Sequence, residues 1–382
     1  MALNLKVLAQ RLRRARELQA IELSTVCQKT GITHERLSQI ESVQCKPSGD
    51  EVLILANYYH VNFRDFLNES GPESFEQTEI LYRRHGDDFR SDDRRAIQEF
   101  LYLCETESFL EAELKIQKHK FAFVPTGKHF KTHGMQAAGK LRSFLGYAAN
   151  EIPRDIFNDF RQIGFHVFRR KLTNSNISGL YIYHPNAGHC LLINYEEDIY
   201  RQRFSASHEA AHAIFDSSES VVVSYKPGKG DYSAQELKEI RANRFASCYL
   251  IPPDQLPKVS QWSKYLALNW AQQLRVSTAV LSFSLKEAGL VDESTAKLIR
   301  SFSVPTSDKI DPEAPQTLTE KQRSRRLNLL ESGLSDYYVG LCFEAYHQGI
   351  ISAGRLSEAL LADHAETQEI SILFGRSLQY GV

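Results

Sequence analysis

The stretch 207–215 constrains this chain more than any other. It contains His208-Glu209-Ala210-Ala211-His212, free of proline and glycine and with two alanines between the histidines. Alanine is the best helix former, so a helix is expected. Residues four apart on a helix share a face. His208 and His212 can then aim both imidazoles at one point, the ligand type that Zn²⁺ favours. Glu209, one residue on from the first histidine, is placed to accept a proton from a water held there.

A site of this kind needs a third protein ligand and one open position. Downstream, residues 236–247 also read as a helix, with Leu237, Ile240, Phe245 and Ala246 available for packing. Glu239 and Asn243 are four apart and share a face. Glu239 can complete a metal triad, with Glu236 one turn earlier as the alternative, and Asn243 can orient a ligating histidine by a hydrogen bond.

Taken together, Arg203-Phe204-Ser205-x-x-His208-Glu209-x-x-His212, then Glu239-x-x-Ala242-Asn243-x-Phe245-Ala246 and Leu250-Ile251-Pro252, resemble the ImmA/IrrE family of zinc metallopeptidases. The resemblance implies that His208, His212 and Glu239 bind zinc (manganese being the second choice) and that Glu209 is the general base. The chain departs from the family at Ala210-Ala211, where Leu-Gly is usual.

The 382 residues allow two or three domains. With 42% apolar and 24% charged residues the composition is that of a soluble globular protein. A net charge of −1 singles out no partner by bulk electrostatics. No apolar run is long enough for a membrane-spanning helix, which needs roughly 18 residues or more, and the N-terminus lacks a signal-peptide core. The six cysteines form no CxxC pair, which suits reduced thiols in a cytoplasmic protein. Cys104 and Cys248 are expected to pack rather than react.

Residues 1–69 read as a small helical bundle. Leu8, Leu12 and Ala15 mark a first helix, 23–29 a second, and Thr33 can cap a third after the turn at Gly31. The stretches 52–56 and 63–67 close it. This resembles the Cro/repressor (XRE-type) helix-turn-helix family, with Leu37-Ser38-Gln39-Ile40-Glu41 matching the end of its recognition helix. The resemblance implies that His34, Glu35, Arg36, Ser38 and Gln39 face DNA bases and that Arg11 and Arg14 reach phosphates. The second helix departs from the family by starting Glu22-Leu23. With nine Lys/Arg against eight Asp/Glu, residues 1–69 carry a net +1. Little phosphate charge is then neutralised, so weak monomeric binding or a protein-binding role is the alternative.

Residues 70–129 are expected to be a helical connector. A loop at Gly71-Pro72-Glu73-Ser74 leads to a long helix capped by Ser91-Asp92-Asp93, suited to a rigid spacer or a homodimer surface. Residues 130–300 carry the peptidase-like unit. It opens with a helix over 135–147 and another starting at Pro153. Strands at 165–169, 179–183 and 190–194 then form a small antiparallel sheet ahead of the metal helix. Residues 221–232 read as an exposed loop, a possible lid. Tyr225, Tyr232, Tyr249, His184 and His189 are oxyanion-donor candidates, none assigned. Residues 301–382 begin with a Ser/Pro/Asp/Thr-rich linker (301–318). A basic patch at Lys321, Arg323, Arg325 and Arg326 and a helical hairpin hinged at Gly349 follow.

The expected fold class is therefore α+β: a helical bundle, a helical connector, a zincin-like domain with a small sheet and a helical tail. The expected function is a zinc endopeptidase that cuts a specific repressor or antitoxin protein in a stress, DNA-damage or mobile-element response. The competing expectation is a DNA-binding regulator or antitoxin whose peptidase-like domain cuts nothing.

Overall fold

The computed structural model describes residues 4–67, 76–85, 88–127, 129–217, 221–225, 234–314 and 318–378. The sequence-predicted loop at 71–74 and Tyr232 lie outside them.

Five helices come first: α1 (Leu5–Leu18), α2 (Leu23–Thr30), α3 (His34–Glu41), α4 (Gly49–Tyr59) and α5 (Phe63–Leu67). Their apolar positions close a core of Leu8, Leu12, Val26, Leu37, Leu55, Tyr59 and Phe66. Gly31 sits between α2 and α3 at φ 75°, a conformation glycine adopts without strain. Thr33 caps α3 by accepting the Arg36 amide, as its sequence position predicts.

Next come α6 (Glu76–His85), α7 (Ser91–Glu113), α8 (Phe130–Phe144) and α9 (Ile156–Gln162). Strands β1 (His166–Arg170), β2 (Ile177–His184) and β3 (Gly188–Asn194) precede α10 (Ile199–Phe215), β4 (Val221–Tyr225) and α11 (Ala234–Leu250). Then follow α12 (Lys264–Gln273), α13 (Thr278–Glu287), α14 (Glu293–Arg300), α15 (Glu320–Glu331), α16 (Asp336–His347), α17 (Ala353–Ala359) and α18 (His364–Leu373). None of these helices is long and apolar enough to cross a membrane.

The sheet order is β1-β3-β2-β4. β2 is antiparallel to β3 and to β4, whereas β1 runs parallel to β3. β4 falls where the sequence reads as loop: Val221-Val222-Val223 pairs with β2 before the Gly/Pro-rich residues begin. The sheet is covered on both faces, and period two decides which residue goes where. Leu191 and Ile193 of β3 join Val167, Tyr181 and Val222 in a core with α8 to α14. Cys190 and Leu192 join Phe168, Leu180 and Ile182 in a second core with α6, α7 and α16 to α18. Strands buried on both sides lose the apolar–polar alternation of a half-exposed sheet, and all five residues of β1 are buried.

The long connector helix is thus not a spacer. α7 buries residues around most of its circumference, among them Ile97, Phe100, Leu103, Cys104 and Leu110. Phe100 meets Phe168 edge-on at 6.1 Å, and Phe168 meets Tyr338 of α16 at 5.4 Å. Nor does Asp93 cap it: the N-cap is Arg90, and the buried Asp93 carboxylate accepts the Thr173 amide at 2.6 Å. Two helix starts also differ from expectation. α8 begins five residues early at Phe130, and α9 begins at Ile156 because Asp155, not Pro153, supplies the cap.

The stretch expected as a linker is pinned to the sheet. Asp311 and Glu313 both bind Arg169, and Glu313 also binds Arg161 at 2.6 Å. Both guanidiniums are buried, so the acidic pair on this strap is their neutralising charge. The basic patch is partly engaged as well, Arg325 pairing with Glu369 and Arg326 with Asp336.

Candidate metal centre

Helices α10 and α11 pack against each other, with α10 against β2 and β3, and bring the two sequence motifs together. α10 starts at an Asp198 cap whose side chain accepts the Tyr200 and Arg201 amides. The fully buried Arg203 then anchors it to the backbone carbonyls of Pro153 (2.6 Å), Arg154 (2.7 Å) and Arg275 (3.2 Å). α11 is held by close approach to α8. A Cβ at Gly134 would stand 2.5 Å from the Arg241 carbonyl, so only glycine allows the two backbones this near.

At the crossing, Nε2 of His208 and Nε2 of His212 are 3.1 Å apart. The Glu239 carboxylate faces both, Oε2 at 3.1 Å from the first and Oε1 at 3.4 Å from the second. These three residues form one of two groups of potential metal ligands among the described residues. The opposite ring nitrogens are already taken: Nδ1 of His208 meets Asn243 Oδ1 at 3.1 Å, and Nδ1 of His212 meets Asp216 Oδ2 at 2.9 Å. Acceptors at Nδ1 place the ring proton there and leave Nε2 as a bare lone pair. Two such lone pairs and a carboxylate converge on one point, which is mutually repulsive without a cation between them. The donor set therefore fits a metal. His212 is fully buried, whereas the Glu239 side chain is 33% exposed, so the cluster opens on the α11 side.

Glu209, the residue after His208 on α10, has both carboxylate oxygens buried and without a hydrogen bond. Burial pushes its pKa above the usual carboxylate value, against the neighbouring imidazoles.

The structure thus gathers His208, Glu209, His212, Glu239 and Asn243 as the motif spacing predicts. Glu236, the alternative ligand, is not in the group. Sequence reasoning missed Asp216 and Arg241. Asp216 accepts from His212 with one oxygen and binds the buried Arg241 guanidinium with the other. Its position, four residues after His212, was the available signal. Three of the oxyanion-donor candidates have other engagements, while the Tyr225 side chain, like Tyr232, lies outside what the structure describes. Tyr249 donates to Asp159 at 2.7 Å, His184 lies against Glu105 and His189 meets Tyr181 at 3.0 Å.

In the N-terminal bundle, His34, Glu35 and Ser38 are exposed on α3. Gln39 is half-buried and donates to Glu35 at 3.3 Å. Arg36 is clasped by Glu51 at 2.7 and 2.8 Å and by the Lys46 carbonyl. Arg11 donates to the Asp65 carbonyl, and Arg14 pairs with Glu79 of α6.

No curated protein and no solved structure gives a significant match to the chain. Residues 160–286, from α9 into α13, match the peptidase family described as the IrrE N-terminal-like domain, and that stretch holds every member of the cluster.

Proposed function

We propose that this protein is a metal-dependent endopeptidase, with zinc as the metal, that cleaves a specific repressor or antitoxin protein in a stress, DNA-damage or mobile-element response. The observation that carries the reading is the convergence of His208, His212 and Glu239 on one point with the unpaired Glu209 carboxylate beside it.

His208, His212 and Glu239 hold the metal, and Asn243 and Asp216 fix the imidazoles that do so. Zinc so held supplies Lewis acidity toward a water and a peptide carbonyl. Glu209 takes a proton from the attacking water as its oxygen bonds to the carbonyl carbon. It returns that proton to the amine nitrogen as the C–N bond breaks. The dry surroundings of Glu209 favour its proton-bearing state between those steps.

The test is metal content per chain in protein purified without added metal, for wild type and Glu239→Ala. Close to one zinc in wild type and its loss in the variant supports the three-ligand centre. Glu209→Gln is then expected to keep the metal and abolish cleavage. No binding even with zinc supplied sinks the reading.

A second reading is a regulator that binds DNA through residues 1–69, favoured by the exposed His34, Glu35 and Ser38 on α3. His34→Ala with Ser38→Ala is then expected to weaken binding to its operator. Equal affinity of wild type and variant for operator and random DNA goes against it. Cleavage and DNA binding are compatible in one chain.

A further inference from the structure

We propose that Gly179 of β2 and Ser224 of β4 are positioning residues for Glu209. Gly179 provides a bare floor under the carboxylate, and Ser224 provides the hydroxyl that orients it. The inference rests on the metallopeptidase reading above.

Gly179 and Ser224 are direct partners across the β2–β4 pair, next to a register shift at the start of β2. A Cβ at Gly179 would lie 3.1 Å from both Cγ and Oε1 of Glu209 and 2.9 Å from the Leu192 carbonyl oxygen. The Glu209 side chain therefore rests on strand backbone at the one place where β2 has no side chain. Any larger residue must displace the Glu209 side chain or push β2 off β3.

Ser224 is buried, and its hydroxyl makes no completed hydrogen bond. The same is true of both Glu209 oxygens. A buried hydroxyl and a buried carboxylate, each unpaired and on adjoining elements, are complementary, because a lone buried polar group costs free energy that a shared hydrogen bond recovers. The Ser224 hydroxyl already interacts favourably with the Glu209 carboxylate. A hydrogen bond between them would satisfy both groups. The hydroxyl then holds one oxygen and leaves the other free to face the reacting water.

The test uses full-length, zinc-loaded protein with acetohydroxamate as the probe, a small zinc ligand that can also donate a hydrogen bond to the general-base carboxylate. Zinc content is measured for wild type, Glu209→Gln, Gly179→Ala, Ser224→Ala and Ser224→Thr, and acetohydroxamate affinity by calorimetry. Expected is near one zinc per chain throughout. Kd should rise about tenfold in Glu209→Gln, Gly179→Ala and Ser224→Ala, the scale of one charge-assisted hydrogen bond. Ser224→Thr, which keeps the hydroxyl, should stay near wild type. Gly179→Ala also crowds the Leu192 carbonyl, so Ser224→Ala is the decisive variant if the former folds poorly. A Kd raised in Glu209→Gln but unchanged in Ser224→Ala and Gly179→Ala overturns the positioning roles and leaves the peptidase reading standing. A Kd indifferent to Glu209→Gln, or absence of zinc from wild type, overturns the proposal at its base, and the second result overturns the peptidase reading with it.

Discussion

Asp216 Oδ2, at the C-cap of α10, stands 2.9 Å from His212 Nδ1, and the other Asp216 oxygen takes the Arg241 guanidinium. This relay ties the metal-facing imidazole of α10 to α11, the helix that carries Glu239. Asp216→Ala removes the acceptor that holds the His212 ring and its proton in place. Zinc affinity should fall by roughly 10–100-fold, read by competition with a chromophoric chelator. An affinity equal to wild type would show that the ring is held by packing alone.

Gly134→Ala tests the approach of α8 to α11. The added methyl would meet the Arg241 carbonyl at 2.5 Å and the Phe245 amide at 2.9 Å, both rigid backbone. The helices must separate, at about 1–3 kcal/mol for an overpacked contact. Denaturant unfolding should show that loss, and zinc affinity should fall with it, since α11 carries Glu239.

Glu313→Ala probes the strap. It removes the ion-pair partner of Arg161 and leaves Arg169 paired with only Asp311, both guanidiniums being nearly fully buried. Breaking a buried pair from one side costs about 3–5 kcal/mol. Equilibrium denaturation is the measurement, and a change below 1 kcal/mol would mean that water reaches the pair.

Alkaline pH should weaken the protein through His166. Its Nδ1 lies 2.7 Å from Glu107 Oε1, both side chains being buried. Burial lowers the imidazole pKa, but the hydrogen bond and charge of Glu107 outweigh it and raise the value to about 9. The folded value exceeds the unfolded one of about 6.5. The stabilisation is therefore complete below about pH 6.5 and is lost as pH rises through 9. Tm followed between those limits should drop more for wild type than for His166→Gln, which cannot titrate. Parallel curves would assign the pH dependence to other groups.

The metal motif was legible because it is local. Helical spacing alone brings His208 and His212 onto one face, and the same rule pairs Glu239 with Asn243. Asp216 obeyed that rule too and could have been read from it. Two other elements were illegible for a physical reason. α7 is buried nearly all round, so it shows no sharp amphipathic stripe. The strap has a linker's composition, yet Asp311 and Glu313 answer arginines that lie 142 and 152 residues earlier.

By itself the sequence determined the helix-forming stretches, the cap at Thr33, and which side chains α10 and α11 can turn toward one point. These follow from backbone periodicity and short-range hydrogen bonds, which need no distant partner. Only the tertiary structure decided that the two helices cross at that point, that β4 joins the sheet beside Glu209, and that α7 and the C-terminal helices seal its other face. Those outcomes depend on burying apolar surface and neutralising buried charge between residues far apart in the chain, and the contacts that settle them form only when the whole chain packs.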